Sequence, residues 1–391
     1  MAAPALLLLL SGALPAAGQP APGAPPAARR LTPADHDADR PAWSPDGTRV
    51  AYVRASSAGE TIWEVDVASG SARRRVGADD LRHVGLIAPR YALHDLAWSP
   101  SGEALAFSWS DDQGWGQIAI SDPNGRIAPL HAPVMDDPWQ EGTVFDLSAS
   151  TFLWDANGSS GTFIGWDDEC GSLYRASVPE PGSWGGEPVR GPAGAEEAAP
   201  ISTPSTPVRL PLPPGCRPVL LGTPGFWLYT DLDEELTRRL AIVDDAGAEI
   251  DAVDFPQGPP PRVRWAKGTV DAGGGAGGRP PVAGWWYDAE RHERVLLVWG
   301  RDSLVEWRRE QRAGEGADAV ALTGEALLFL EGPPGAARLA LLDRPQAQPG
   351  EILAAPVIDL AVSPDGGRVV AVRSEGDRRS LWIVDPAAHV R

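Results

Sequence analysis

The sequence predicts an all-β chain, folded as a β-propeller of four-stranded antiparallel blades. Three observations carry this expectation: a tight-turn motif that recurs along the chain, apolar strand segments in a fixed order around it, and 16 Trp among 391 residues. Blades that stack face to face around an axis need strands apolar on both faces, and large rings to seal the gaps between sheets.

The chain opens on the apolar run Met1 to Leu10, and Ala16-Ala17-Gly18 offers small residues for cleavage, so residues 1–18 read as a signal peptide. The usual basic n-region is missing, which keeps an uncleaved anchor open. No Cys follows the run, and the rest of the sequence has no other candidate span. Residues 19–28 are almost all Pro, Ala and Gly, a flexible spacer, and residues 29–391 are assigned to the propeller.

The first clear copy has Pro41-Ala42-Trp43-Ser44-Pro45-Asp46-Gly47, then Val50 to Val53, then Ile62 to Asp66. The second has Leu96-Ala97-Trp98-Ser99-Pro100-Ser101-Gly102, Ala104 to Phe107, and Gln117 to Ile120 with Asp122. The last has Leu360-Ala361-Val362-Ser363-Pro364-Asp365-Gly366, Val369 to Val372, and Leu381 to Asp385. Ser at the first turn position, Pro at the second and Gly at the fourth suit a type I turn, so each copy begins as a hairpin.

Four weaker units lie between: Thr151 to Arg175, Val219 to Val243, Val263 to Trp299 and Val320 to Asp343. Seven blades are therefore expected, with six or eight left open by the irregular third to fifth units. The Pro- and Ser-rich stretch Gly191 to Gly215 reads as a loop between the third and fourth blades, and Gly273-Gly274-Gly275 as a hairpin tip. A ring needs closure, or its first and last sheets expose an edge. The chain ends soon after Trp382-Ile383-Val384-Asp385, whereas Arg29-Arg30-Leu31-Thr32 has no partner in its own unit. The N-terminal strand is therefore expected to complete the last blade beside Leu381 to Val384.

Arg30-Leu31-Thr32 followed by Pro41 to Gly47 resembles the WD-repeat-like propeller of the TolB family, whose repeat also builds the propeller of prolyl-oligopeptidase-type peptidases. The specific likeness covers about a third of the chain. It implies export and protein binding without catalysis. The separate α/β domain that precedes the TolB propeller has no counterpart here, so no functional residue of that family is carried over.

A formal charge of -19 with no basic block disfavours nucleic-acid binding. Lys267 is the only lysine, a bias that points to a GC-rich bacterial coding sequence. No Gly-x-Ser-x-Gly elbow is present, since Gly158 to Gly161 and Gly182 to Gly185 have the wrong spacing, and both read as turns. Asp155, Asn157 and Ser159 alternate like the start of a calcium loop, but Ser160 stands where that loop needs Gly, so a polar hairpin turn is the better reading. Asp231, Asp233 and Glu235 alternate similarly, as the solvated tip of a hairpin. His36, His83, His94, His131, His292 and His389 are dispersed and show no metal-ligand spacing. No catalytic residue, metal ligand or cofactor is assigned.

Cys170 and Cys216 are the only cysteines; in an oxidising compartment they either pair or stay as two separate thiols. Asp111 to Gly116 and Met135 to Glu141 combine Trp115 and Trp139 with acidic groups, as protein-recognition surfaces do. The leading expectation is a non-catalytic, monomeric, periplasmic or secreted module that presents loops to a protein or cell-envelope component. The alternative is an enzyme, such as a metal-dependent hydrolase or lyase, with its site at the axial channel.

Overall fold

A computed structural model describes residues 28–57, 59–83, 91–111, 116–130, 152–166, 171–179, 208–210, 216–220, 227–232, 238–243, 249–255, 264–265, 282–288, 293–299, 304–310, 320–323, 326–333, 336–342, 350–353 and 356–388. Their strands form seven four-stranded antiparallel sheets. The first strand, β1 (Ala28–Arg30), stands apart in the order. Blade 1 is β2 (Asp37–Trp43), β3 (Arg49–Ala55), β4 (Thr61–Asp66) and β5 (Ala72–Val76), followed by the short helix α1 (Ala78–His83). Blade 2 is β6 (Tyr91–Trp98), β7 (Leu105–Asp111), β8 (Gly116–Ser121) and β9 (Ile127–Pro129). Blade 3 is β10 (Leu153–Trp154), β11 (Ser160–Trp166), β12 (Gly171–Ser177) and β13 (Val208–Arg209). Blade 4 is β14 (Cys216–Leu220), β15 (Trp227–Leu232), β16 (Arg238–Val243) and β17 (Glu249–Phe255). Blade 5 is β18 (Arg264–Trp265), β19 (Val282–Asp288), β20 (Glu293–Trp299) and β21 (Leu304–Glu310). Blade 6 is β22 (Val320–Thr323), β23 (Ala326–Glu331), β24 (Arg338–Leu342) and β25 (Gly350–Leu353). Blade 7 takes β26 (Val357–Val362), β27 (Val369–Glu375) and β28 (Arg378–Val384) and is completed by β1, in the order β1-β28-β27-β26.

The closing strand pairs antiparallel with β28 in the register Ala28↔Val384, Arg29↔Ile383 and Arg30↔Trp382. Leu31 N–H extends the ladder to the Leu381 carbonyl at 2.8 Å, and Leu381 N–H donates to Thr32 Oγ1 at 3.1 Å. Strand pairing begins at Ala28, one residue before the expected start of the propeller.

Both faces of the second strands are covered, as stacking requires. Val50 and Tyr52 of β3 pack with Val370, Val372 and Leu381 of blade 7, while Ala51 and Val53 pack with Leu93, Leu105 and Phe107 of blade 2. Alternate residues of one strand thus enter opposite seams, which is why these strands read as continuous apolar runs.

The repeated turn folds as its residues dictate. Gly47 N–H donates to the Ser44 carbonyl at 2.9 Å, and Gly366 N–H to that of Ser363 at 2.8 Å. Both glycines sit at positive φ, 66° and 70°, where a Cβ would be strained. The Ser44 hydroxyl donates to Asp46 Oδ1 and accepts from Arg49 N–H at 2.9 Å, and Ser363 repeats this with Asp365 and Arg368.

One expectation is corrected. Gly191 to Gly215 is not a loop between blades 3 and 4, because it contains β13, the outer strand of blade 3; the insertion lies inside blade 3, between β12 and β13. A two-residue edge strand carries no periodicity by which the sequence could reveal it. Gly273-Gly274-Gly275 falls between β18 and β19, outside the described residues.

Candidate functional site

The inner strands of blades 1, 2 and 7 begin at one end of the propeller, here the upper end, and run to the repeated turns Ser44 to Gly47, Ser99 to Gly102 and Ser363 to Gly366 at the lower end. The β3–β4 and β7–β8 connections also lie at the upper end, since Asp37 pairs with Ala55 and Tyr91 with Asp111.

At the upper end, three inner strands, β2, β6 and β26, carry an irregularity, between Asp39 and Ala42, Leu93 and Leu96, and Val357 and Asp359. These bulges leave Arg40-Pro41, His94-Asp95 and Ile358 out of the ladder, on the strands nearest the axis. Arg40 has the only positive φ among described non-glycine residues, 51°. Its guanidinium faces both carboxylate oxygens of Glu60 at 3.3 Å within blade 1, and Glu60 Oε2 accepts Leu93 N–H of blade 2 at 2.6 Å, so a hydrogen bond to this ion pair crosses the seam. Across the closing seam, Arg379 N–H donates to Asp37 Oδ1 at 2.9 Å, and its guanidinium pairs with Asp37 and Asp39.

Lower-end seams share a different latch. The Trp43, Trp98 and Trp154 indoles donate to the carbonyls of Ala361, Ala42 and Ala97 on the preceding blade, at 3.0, 3.1 and 2.9 Å. Arg368 donates to the Gly47 carbonyl at 2.9 Å and lies over Trp43, and Arg49 donates to the Gly102 carbonyl at 2.7 Å and lies over Trp98. Beside this latch, Glu64 is 2% exposed and gathers Arg49, Arg73 and the buried Arg75. Burial chiefly lowers the Arg75 pKa to about 10, against the pull of Glu64, so the guanidinium remains cationic at neutral pH. Arg75 Nε donates to Ser121 Oγ at 3.0 Å, carrying the charge network into blade 2.

The histidines do not converge. Buried His36 meets Tyr52 Oη at 2.6 Å and the edge of Trp63, and His94 meets Ser110 Oγ at 2.7 Å. His83 ends α1, while His131, His292 and His389 lie outside the described residues. No group of three or more His, Cys, Asp or Glu suited to a metal occurs among the described residues. Asp155, Asn157 and Ser159 form the blade 3 counterpart of the repeated turn: Gly158 N–H donates to the Asp155 carbonyl at 3.1 Å, and Asp155 Oδ2 accepts from Ser160 Oγ at 2.8 Å. Asp231 lies on β15, with Asp233 and Glu235 outside the described residues. Cys216 begins β14, and Cys170, outside the described residues, directly precedes β12. Trp115, Trp139 and the stretch Gly182 to Gly185 also lie outside them. The site features that sequence reasoning missed, Arg40, Glu60 and Arg379, signal themselves only as isolated charges; Glu60 meets Arg40 within blade 1 and Leu93 of blade 2, and Arg379 of blade 7 meets Asp37 and Asp39 of blade 1.

Fold and seams define the class: a seven-bladed β-propeller closed by its N-terminal strand. Neither family models nor curated proteins give a match to the sequence. Among solved structures, an oligogalacturonate lyase from Vibrio parahaemolyticus is similar at a TM-score of 0.57 and 10% identity, covering 93% of this chain and 94% of that one. The β-propeller domain of the Trilobed protease from Pyrococcus furiosus, described as having an open velcro topology, is similar at 0.53 and 10%, covering 89% and 92%. A prolyl endopeptidase is similar at 0.55 and 10% over 89% of this chain, which spans 50% of that enzyme's length. At such identities the likeness establishes the propeller fold alone.

Proposed function

We propose that the chain is an exported, non-catalytic propeller whose upper end binds a protein or cell-envelope component. One observation carries this reading. The two sequences that combine Trp with acidic groups, Asp111 to Gly116 joining β7 to β8 and Met135 to Glu141 between β9 and β10, attach at the same end of the same blade. The frame beneath them is fastened by seam contacts that engage Arg40, Glu60, Asp37, Asp39 and Arg379. Aromatic anchors on a rigid mount recognise protein surfaces at small entropic cost. The charge of -19 favours a basic partner and a salt-sensitive association. The signal-like N-terminus and the TolB-type turn Trp43 to Gly47 support a periplasmic or secreted monomer that needs no cofactor. No helix among the described residues is long and apolar enough to cross a membrane.

The full chain used as bait on an envelope fraction is expected to retain a defined partner at low salt and lose it at high salt. Trp115→Ala and Trp139→Ala each weaken that capture without changing the melting temperature; retention equal to wild type for both variants overturns the reading. A second reading, an enzyme with an axial site, is favoured by Arg40, His94 and Asp95 standing out of the ladders of two inner strands. A stoichiometric metal in the purified chain decides for it.

A further inference from the structure

The link from the closing strand to blade 1, residues 31–36, lies outside both sheets and is tied to each. Toward blade 7, Thr32 Oγ1 accepts Leu381 N–H at 3.1 Å, and Arg30 of β1 donates to the Thr32 and Ala34 carbonyls at 3.1 and 3.4 Å. Toward blade 1, the link turns, with His36 N–H on the Pro33 carbonyl at 3.2 Å, and buries His36 against Tyr52 of β3 and Trp63 of β4. Nδ1 meets Tyr52 Oη at 2.6 Å, and the Trp63 ring stands at 70° with centroids 4.6 Å apart.

These surroundings suit a neutral imidazole. Arg54 of β3 already lies over the Trp63 ring, 5.0 Å from its centre, so a protonated His36 is a second cation at the same indole. Tyr52 is fully buried, and its phenol stays neutral. Asp35, the carboxylate beside His36, has a side chain 74% exposed and is engaged by Arg54 at 3.6 Å. Across the seam, Arg379 is held by Asp37 and Asp39, and Glu375 by Arg30. Burial first, and Arg54 second, hold the His36 pKa below its ordinary value, with Asp35 opposing. Moving the link into water restores that value, so proton uptake favours the detached form, by about a factor of ten for each unit of difference.

The strand released with the link is short: β1 contributes three ladder pairs at the edge of blade 7. Blades 7 and 1 stay joined without it, by Trp43 on the Ala361 carbonyl, Arg368 on that of Gly47, and Arg379 on Asp37 and Asp39.

We propose that His36 makes the ring closure acid-labile: its protonation detaches residues 28–36 from blades 7 and 1 while the blades stay folded, and bares the edge of β28.

The test is amide hydrogen exchange of the full chain at about pH 7 and about pH 5, read by NMR and corrected for the intrinsic pH dependence of exchange. The Leu31 and Leu381 amides, bonded across the closure, are expected to lose about tenfold of their protection at the lower pH. Because the opening is local, low guanidinium leaves their exchange unchanged while it accelerates that of Phe107 and Ile118 in the core of blade 2. His36→Gln should give equal protection at both pH values, and Arg54→Gln, which withdraws the like charge, a smaller loss than wild type. Wild-type protection that does not change with pH overturns the proposal. So does closure exchange that rises with guanidinium in step with Phe107 and Ile118, which marks global unfolding, or a loss that persists in His36→Gln, which assigns it to the carboxylates of the seam.

Discussion

His36 shows how far a residue's role depends on its surroundings. It stands in the link between the closing strand and blade 1, against Tyr52 and Trp63. Burial is the main cause holding its pKa below the ordinary value, Arg54 adds to this, and Asp35 opposes both. Burial pushes the Tyr52 phenol well above its own ordinary range, so this contact joins two neutral groups. A histidine with a lowered folded pKa stabilises the fold fully above its unfolded pKa, about 6.5, and that contribution is lost as pH falls from there through the folded value. Denaturant midpoints of the wild-type chain should therefore drop between about pH 7 and 5, and His36→Gln should flatten this part of the profile. A wild-type midpoint constant across the window contradicts the assignment. Asp46 behaves in the same sense at lower pH: its hydrogen bond from Ser44 is the chief cause holding its pKa at about 2, and the turn loses that support as pH falls through this value. The turn serine and aspartate were legible as a motif. The sequence shows six scattered histidines and no sign that one is buried at the closure.

At the scale of the blade, the inner and second strands were legible because both carry apolar residues into two seams. Outer strands were not: β5 reads Ala-Arg-Arg-Arg-Val, β9 has three residues and β13 two. Edge strands face solvent and gain from charge, which leaves no pattern to read. The three arginines of β5 illustrate this, since only the fold shows that Arg75 turns inward to Glu64 and Ser121 while Arg73 stays 58% exposed. Glu64→Gln removes the countercharge of a buried guanidinium, and should destabilise by about 3–5 kcal/mol in chemical denaturation. Loss below about 1 kcal/mol would show that water reaches the pair. Gly161 is another residue whose need only packing reveals: a Cβ there would meet the Phe152 ring at 1.9 Å.

For the whole molecule, closure is the decisive event, because β1 joins the two ends of the chain. Its ladder is reinforced by Arg29, which donates to the Val67 carbonyl of blade 1, and by the Arg30–Glu375 ion pair at 3.1 Å. Deleting residues 28–33 should lower the melting temperature and promote association through the exposed edge of β28, whereas deleting residues 19–27 should change neither. Equal behaviour of the two deletions in calorimetry and gel filtration would refute this role for β1. By itself the sequence determined the propeller and the closing strand and favoured seven blades over six or eight, because turn chemistry and strand periodicity are local properties that repeat along the chain. Only the tertiary structure decided which charges meet, where the blade 3 insertion lies and which strands of neighbouring blades stand side by side. Those depend on register and seam geometry between residues as distant as Asp37 and Arg379, to which local periodicity is blind.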